Sequence, residues 1–372
     1  MQALLFGIIF STVFLFLNLY IHKRLILKLD LKKTTKHYLN IFLIINYIGL
    51  VSYIFARYYI GIPNWLYFLL SLPIGVLFLL FWTTLIYDIS RVTLSKIPLS
   101  NTRRKFFKKS LDISSLLMAT SLSARAIYEA RTVKLEHVNV KIKNLKQPYK
   151  IVQLSDIHIG GLIDAKFMQN IVSRVNVLKP DLVVITGDLV DINVYYAKDA
   201  LDTLKRLKST YGTYYIVGNH EYFHGITKII NVVKSLGIRV LENENVYIGE
   251  KGKGFNLAGV YDVFGYRTNG HIPDLKKALL NKQASPTILL AHQPRYIEEV
   301  IDGVDLMLSG HTHGGQIYPF KFLVRLKQPY ISGLHQHNKD LQIYVNKGTG
   351  FWGPPMRLGA NSEITEINIE PK

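Results

Sequence analysis

Five short apolar runs in this 372-residue chain end in the same way, and that repetition limits the folds open to it more than any other feature. VQLSDIH, VVITGD, YYIVGNHE, TILLAHQ and LMLSGHTHGG each pass from β-branched and aliphatic residues into a short polar loop, most of them through glycine. Runs of this kind read as strands, and loops gathered at one edge of a sheet are where sites are built. The side chains delivered there are Asp156, His158, Asp188, Asn219, His292, His311 and His313. Singly, each fragment is an ordinary strand end, turn or surface loop. Together, five junctions that deliver only metal-competent residues point to one dinuclear metal site.

Two neighbouring cations need anionic oxygen ligands to offset their charge and imidazoles to complete each shell, and this set supplies both. A carboxylate between the ions can bridge them. Ions about 3.5–4 Å apart can hold a phosphoryl group, generate hydroxide near neutral pH and stabilise a leaving oxygen. Gly187, Gly218 and Gly310 stand directly before Asp188, Asn219 and His311, where glycine permits backbone turns and close approaches that a Cβ would obstruct. The chain has no cysteine, which excludes disulfides and thiolate ligands. Hard or borderline ions remain: Mn²⁺ is the first choice, with Mg²⁺, iron and Zn²⁺ as alternatives.

The blocks Asp156-Ile157-His158, Gly187-Asp188, Gly218-Asn219-His220-Glu221, His292 and Gly310-His311-Thr312-His313 resemble the calcineurin-like metallophosphoesterases in order and spacing. The resemblance covers about residues 137–372. It implies that Asp156, His158 and His313 hold one metal with Asp188 as the bridge, and that Asn219, His292 and His311 complete the second. His220 would then protonate the leaving group or stabilise the transition state. Glu221 stands where many members carry Asp, outside the ligand set. Further stretches, at 220–222, 310–316 and 348–359, are similar to a membrane-linked bacterial branch of the family.

Strand character marks 138–142, 150–155, 182–186, 213–217, 255–260, 287–291, 306–309, 342–346 and 364–369, and helical patterns lie at 165–177, 197–207, 227–236 and 272–280. This alternation argues for an α/β fold with helices covering sheet faces. The resemblance narrows it to a calcineurin-like four-layer α/β/β/α sandwich over 137–372, with metals at the carboxyl ends of central strands. No internal repeat or low-complexity tract is visible.

Residues 1–90 differ in kind. Apolar runs at 4–20, 41–56 and 65–87 approach or reach the roughly 20 residues that a spanning helix requires, so three transmembrane helices precede the α/β region. An uncleaved first helix is favoured over a signal peptide, because no basic residue precedes it and Asn18-Leu19-Tyr20 is a poor cleavage site. Lys23, Arg24, Lys28, Lys32, Lys33 and Lys36 follow the first run, only Arg57 lies between the second and third, and Arg91, Lys96, Arg103, Arg104, Lys105, Lys108 and Lys109 follow the third. The positive-inside rule places both basic stretches in the cytoplasm.

Residues 91–136 read as a basic linker whose weakly apolar segment, 110–128, is too short between Asp112 and Arg125 for an ordinary span and suits an interfacial helix. Thr102 to Lys108 also resembles a twin-arginine export signal placed internally. The first reading leaves the catalytic domain cytoplasmic on a bacterial inner membrane; the second makes it periplasmic. Net charge is +19, with 15 basic and 4 acidic residues in 1–130 against 30 and 22 in the remainder. That second excess favours anionic partners, although no nucleic-acid module is recognisable and nucleic acid is not expected.

Other residues carry less. His224 reads as a solvent-facing loop residue, with substrate contact as the alternative, and His271, His335 and His337 read as surface residues. Arg357 would contact a phosphate or form a structural ion pair. Residues 318–330, with Lys321, Arg325 and Lys327 among Phe320, Phe322, Leu323 and Leu326, would dip into a membrane interface or line an acyl pocket, or form a buried loop with snorkelling lysines.

The expected function is a membrane-anchored, metal-dependent phosphoesterase acting on a lipid-linked phosphate or pyrophosphate, with the resemblance pointing to UDP-2,3-diacylglucosamine of lipid A synthesis. The alternatives are a periplasmic phosphodiesterase on phospholipid, undecaprenyl or wall phosphates, and a non-catalytic sensor of phosphorylated lipid. A transporter is disfavoured, since the apolar spans hold no charge pair that would mark a pathway. Oligomeric state is left open.

Overall fold

In the computed structural model, residues 2–56, 62–268 and 270–372 are described; Arg57 of the expected second connection lies outside them. The chain divides into two units, one comprising Met1–Tyr128 with Gly353–Met356, the other Glu129–Trp352 with Arg357–Lys372.

Four helices build the first unit: α1 (Gln2–Ile21), α2 (Lys33–Ala56), α3 (Asn64–Lys96) and α4 (Asn101–Arg131). A short π-helical turn, His22–Ile26, continues α1. Three stretches, Leu5–Ile26, Lys33–Ala56 and Asn64–Lys96, are long and apolar enough to cross a membrane. Their apolar side chains point outward as well as inward: Phe6, Ile9, Phe16, Ile44, Ile45 and Ile48 are exposed, while Ile21, Leu25, Leu50, Leu77 and Tyr87 pack the interior. Helices apolar on every side suit a hydrocarbon surrounding. At about 1.5 Å per residue, the 33 residues of α3 exceed the hydrocarbon thickness.

Polar contacts gather the ends of these helices. Asp88 near the end of α3 accepts from Arg24 (2.5 Å) and Arg91 (3.2 Å). Asp112 of α4 is buried and accepts from the Tyr87 hydroxyl (2.9 Å), the Lys108 ammonium (2.5 Å) and the Asp30 amide (2.7 Å). Arg104 donates to the carbonyls of Leu94 and Ile97, both at 3.2 Å, which satisfies open acceptors at the end of α3. The basic stretch after α1 and the basic stretch after α3 therefore share one end of this bundle. Residues 110–128 are no separate element: they are the middle and later turns of α4, which begins within the basic run. Ile113 and Leu117 face outward from it, whereas Asp112, Ser115 and Ala119 are buried.

The second unit contains twelve strands: β1 (Lys134–Ile142), β2 (Tyr149–Leu154), β3 (Leu182–Thr186), β4 (Thr213–Ile216), β5 (Arg239–Val240), β6 (Glu244–Ile248), β7 (Phe255–Gly259), β8 (Thr287–Leu290), β9 (Leu306–Ser309), β10 (Gly333–Gln336), β11 (Gln342–Val345) and β12 (Glu363–Pro371). They form two six-stranded sheets, ordered β1-β12-β2-β3-β4-β5 and β10-β11-β9-β8-β7-β6. The central pairs β2·β3, β3·β4, β7·β8 and β8·β9 are parallel.

Alternation along these strands makes the layers. Ile151, Leu182 and Val184 of the first sheet pack with Leu257, Ile288, Leu290, Leu306 and Leu308 of the second. Their neighbours Val152, Leu154, Val183 and Ile185 turn to the opposite face and meet Met168, Ile171 and Val175 of α5 (Ala165–Val177), Ala200 and Leu201 of α6 (Lys198–Asp202), and other helical residues. On the outer face of the second sheet, Leu289, Met307 and Ile343 pack with Tyr296, Ile297 and Ala278. Adjacent strand residues point to opposite faces, so this is the four-layer α/β/β/α sandwich that the resemblance implies.

Shorter helices complete it: α7 (Asn219–His224), α8 (Ile226–Ser235), α9 (Leu275–Ala278) and α10 (Lys321–Arg325). The helix expected over 272–280 contracts to α9, because Asp274 caps it by accepting from Lys277 N (2.9 Å), which fixes its start at Leu275, three residues later than the apolar pattern. The parallel strands aim the loops after β2, β3, β4, β8 and β9 toward one region.

Replacing Asp112 by alanine would remove the acceptor of the Asp30 amide and leave the Tyr87 hydroxyl and the Lys108 ammonium to share the Lys28 carbonyl. We expect about 2–4 kcal/mol of destabilisation, read as a lower melting temperature of the detergent-solubilised protein, and a smaller loss for Asp112→Asn.

Candidate metal centre

Strain marks the site before any ligand distance does. Asp156, His158, Asp188, His311 and His313 all have positive φ, at 49°, 55°, 51°, 69° and 50°. For non-glycine residues this left-handed region costs on the order of 1 kcal/mol each, and such outliers concentrate where geometry serves function. Hydrogen bonds between loops hold them there: Asp156 N donates to Gly187 O (3.0 Å), His158 N to Asp188 O (3.0 Å), and Gly310 N to His292 O (2.9 Å).

The turns bring together all seven residues expected from the sequence. Asp156, His158 and His313 place ligand atoms within 4.8 Å of one another, and so do Asp188, His292 and His311. Asp188 joins the two groups, its Oδ2 lying 3.2 Å from His292 Nε2 and 3.9 Å from His158 Nε2. Asn219 Oδ1 is 3.2 Å from His292 Nε2.

The donor chemistry fits divalent cations. His158 Nε2 and His313 Nε2 face each other at 3.0 Å, and His158 Nδ1 is buried without a hydrogen-bond partner. His292 Nδ1 lies 2.7 Å from the Thr186 carbonyl, which can only accept, so Nδ1 carries a proton and Nε2 is the nitrogen directed to Asp188; burial opposes the charge, yet Asp188 and Asp156 hold the ring protonated, and a bound cation would take the place of the Nε2 proton. Burial and the charge of His292 push His311 down to about 3, while burial and the Arg357 guanidinium hold His313 well below the ordinary imidazole range. Both rings stay neutral, the form that ligates. Burial opposes ionisation of Asp188, yet His292 and His220 outweigh it and keep the carboxylate far below its usual range.

His220 stands beside both groups at the start of α7. Its amide donates to Asp188 Oδ1 (2.8 Å), its Nε2 lies 3.9 Å from Asp188 Oδ2, and its Nδ1 is in a short hydrogen bond with Asp191 Oδ1. Burial lowers the His220 pKa, but Asp188 and Asp191 overcome this and raise it to about 9. The sequence reading passed over Asp191. Its signal was the second carboxylate three residues after Asp188, on the same turn. His224, expected to face solvent, lies instead one helical turn after His220 with Nε2 3.5 Å from Asp191.

Arg357 does neither of the things expected of it. It is fully buried and donates to the carbonyls of Gly350 (3.0 Å), Lys347 (2.8 Å), Ala360 (3.0 Å) and His313 (3.2 Å), with a further nitrogen 3.0 Å from His313 Nδ1. Its guanidinium is consumed in fixing the His313 turn and is closed to a phosphate. His271, His335 and His337 stand outside the ligand groups: the His271 carbonyl accepts from Tyr222, and the other two contact Tyr330.

Glu221 has a larger part than its place outside the ligand set suggests. Fully buried, its carboxylate accepts from Gly218 N (2.6 Å), Asp188 N (3.0 Å), Leu189 N (2.8 Å) and Val190 N (3.3 Å). It thereby ties the Asp188 loop to the start of α7. Close approach also governs Gly310, where a Cβ would collide with Ser155 and Asp156. Glu221→Gln turns an NH₂ toward amide donors, so we expect about 2–4 kcal/mol of destabilisation and weaker retention of bound metal, measured by thermal unfolding and elemental analysis. Gly310→Ala should reduce metal content through displaced Asp156 and His311.

Residues 149–315 match the family model described as calcineurin-like phosphoesterase. An uncharacterized metallophosphoesterase of Helicobacter pylori is 39% identical over 373 residues, covering 99% of each chain. A Campylobacter jejuni protein, also an uncharacterized metallophosphoesterase, is 37% identical over 382 residues and the whole of both chains. A Bos taurus transmembrane protein with a metallophosphoesterase domain is 40% identical over 234 residues, 59% of this chain and 53% of that protein. With its ligand groups assembled and its full length matched by such relatives, the chain belongs to the calcineurin-like phosphoesterase family and is a metal-dependent phosphohydrolase.

Proposed function

We propose that this protein is a membrane-anchored hydrolase that uses two divalent ions to cleave a phosphodiester or pyrophosphate bond in a lipid-linked substrate. The observation that carries the reading is Asp188, whose carboxylate lies between two ligand groups while the His220 and Asp191 pair stands against it. One ion would be held by Asp156, His158 and His313, the other by Asn219, His292 and His311, with Asp188 shared. When bound, such ions polarise a phosphoryl oxygen and lower the pKa of water. Mn²⁺ remains the first choice, with Mg²⁺, iron and Zn²⁺ accepted by the same donors.

The protein's own residues supply positioning and a proton. Asp191 accepts from His220 Nδ1, which fixes the ring and turns Nε2 toward Asp188 and the ligand groups. Held protonated by those carboxylates, His220 donates from Nε2 to the leaving oxygen. Phe223 and Trp352 flank the same ring, with centroids 5.6 and 5.9 Å away, and give the site opening an aromatic border.

Three apolar helices and a basic excess support a lipid-bearing, anionic substrate. UDP-2,3-diacylglucosamine at the cytoplasmic face of a bacterial inner membrane satisfies both properties, and the positive-inside rule supports that side. Phospholipid or undecaprenyl phosphates outside the cell are the second reading, carried by Arg103 and Arg104 in the basic run. A carboxyl-terminal reporter active only in the periplasm separates the two, since periplasmic activity sinks the UDP-lipid reading.

Purified protein should hydrolyse a generic aryl phosphodiester with added Mn²⁺. Asp188→Ala should abolish turnover, and His220→Asn should lower kcat by about 10²–10⁴-fold. Equal rates in wild type and both variants would assign the activity to a contaminant and favour a lipid sensor. Chelation should remove turnover, and re-addition of the competent ion should restore it.

A further inference from the structure

Residues 318–327 form an exposed strip in which apolar and cationic side chains alternate. Tyr318, Phe320, Phe322, Leu323 and Leu326 are all exposed, Leu323 by 57% and Leu326 by 77%. Lys321, Arg325 and Lys327 lie among them, and no acidic residue occurs from 317 to 330. The Lys321 ammonium sits 5.1 Å from the Tyr318 ring centroid and 5.7 Å from that of Phe322. Among the described residues, no carboxylate lies within ion-pair distance of these three cations. Single exposed apolar residues such as Val177 occur elsewhere on the surface and need no explanation. Five within nine residues, interleaved with unpaired positive charge, do.

The strip is joined to the ligand loop. Lys321 opens α10 directly against Gly315, where a Cβ would collide with the Lys321 backbone and side chain, and Gly315 closes the turn that begins at His313. Gln316, just before the strip, exchanges two hydrogen bonds with the Trp352 backbone at 2.7 and 3.1 Å. Trp352 in turn borders His220.

We propose that residues 318–327 dock on an anionic phospholipid surface, with Phe322, Leu323 and Leu326 entering the interface and Lys321, Arg325 and Lys327 meeting headgroup phosphates. Alternation of large apolar and basic side chains is the chemistry of a segment that lies on a bilayer, and basic residues near an anionic leaflet add attraction. A protein partner of ordinary composition would bring acidic side chains and leave the phenylalanine and leucine contacts to a matched pocket; a lipid surface needs no such match. The same chain carries three helices long and apolar enough to cross a membrane, so a lipid surface is an occupant that the protein itself brings. Docking rests on the exposed strip alone. Its use, delivery of a lipid-linked phosphate to the neighbouring ligand loop, rests on the function proposed above.

The chain has no cysteine, so the full-length protein accepts one labelled position. Leu323→Cys, with Val177→Cys as reference, would carry an environment-sensitive dye in nanodiscs of phosphatidylcholine with or without one-third phosphatidylglycerol. The Leu323 label should shift to the blue and be quenched by a nitroxide on the lipid headgroup in the anionic discs, while the Val177 label stays in water. Adding Lys321→Glu, Arg325→Glu and Lys327→Glu should lower the ratio of docked to free strip by about a hundredfold. No quenching at Leu323, equal quenching at Val177, or a shift that follows protein concentration instead of lipid, as a second copy would give, overturns the proposal. Hydrolysis of a soluble aryl phosphodiester on the same samples reports separately on catalysis: lipid quenching without turnover supports docking while removing the catalytic reading.

Discussion

The Glu221 carboxylate is the contact on which the rest of the centre depends. A buried carboxylate is costly unless its oxygens are satisfied, and here four backbone amides from two loops supply the partners. The amides belong to Gly218 and to residues 188–190, so one side chain sets the distance between the end of β3 and the end of β4. α7, only six residues long, is too short to be stable by itself and begins where Glu221 anchors it. Asn219 and His220 inherit their positions from that anchor. A carboxylate one methylene shorter would reach the same amides only if the loops closed toward each other, so the length of Glu221 goes with the spacing of these two loops.

Preorganisation explains why so much left-handed backbone is tolerated in one place. Five residues at positive φ would together cost several kcal/mol if the loops were free. They are held by hydrogen bonds that cross from loop to loop and from sheet to sheet. Gln153 in β2 donates to Thr186 Oγ1 (2.9 Å) and to the Ser309 carbonyl in β9 (3.0 Å), joining the sheets beneath the ligands. Arg357 performs the equivalent service behind His313, using carbonyls of five residues instead of a carboxylate. The strain is held by rigid strands on both sides, and the ligands keep their directions before any ion arrives.

The central strands were readable because burial on both faces demands continuous aliphatic runs, as in residues 182–186 and 306–309. The seven candidate ligand residues were readable because metal chemistry permits few side-chain types and the strands deliver them at fixed points. Three of the four edge strands were not: β5, β6 and β10 are partly exposed, so no hydrophobic pattern is imposed on them, whereas the fourth, β1, showed strand character over 138–142. Asp191 and the roles of Glu221 and Arg357 escaped for a different reason. Each acts through groups distant in sequence or through backbone atoms, and a side chain that satisfies carbonyls or amides leaves no spacing pattern. Asp112 belongs with them. Its place opposite Arg125, at the other end of an uncharged stretch, suggested the boundary of an interfacial segment, whereas it accepts from Asp30 and Tyr87, far earlier in the chain, as well as from Lys108 one turn before it.

Exposed apolar side chains occur in two arrangements here, and the difference is physical. On α1 and α2 they surround helices of 20 and 24 residues and are free of interleaved charge through the middle turns, as a hydrocarbon environment requires because each buried cation would cost several kcal/mol. On 318–327 they alternate with three cations over less than three turns, too short to span and too charged to enter a bilayer core. A water-facing loop would have no reason to collect phenylalanine and leucine, and a buried one would have to pair its lysines. An aqueous boundary on one side and an apolar one on the other satisfies both halves of the strip. Its attachment to the His313 turn would then carry the geometry of a lipid surface directly to the ligand loop.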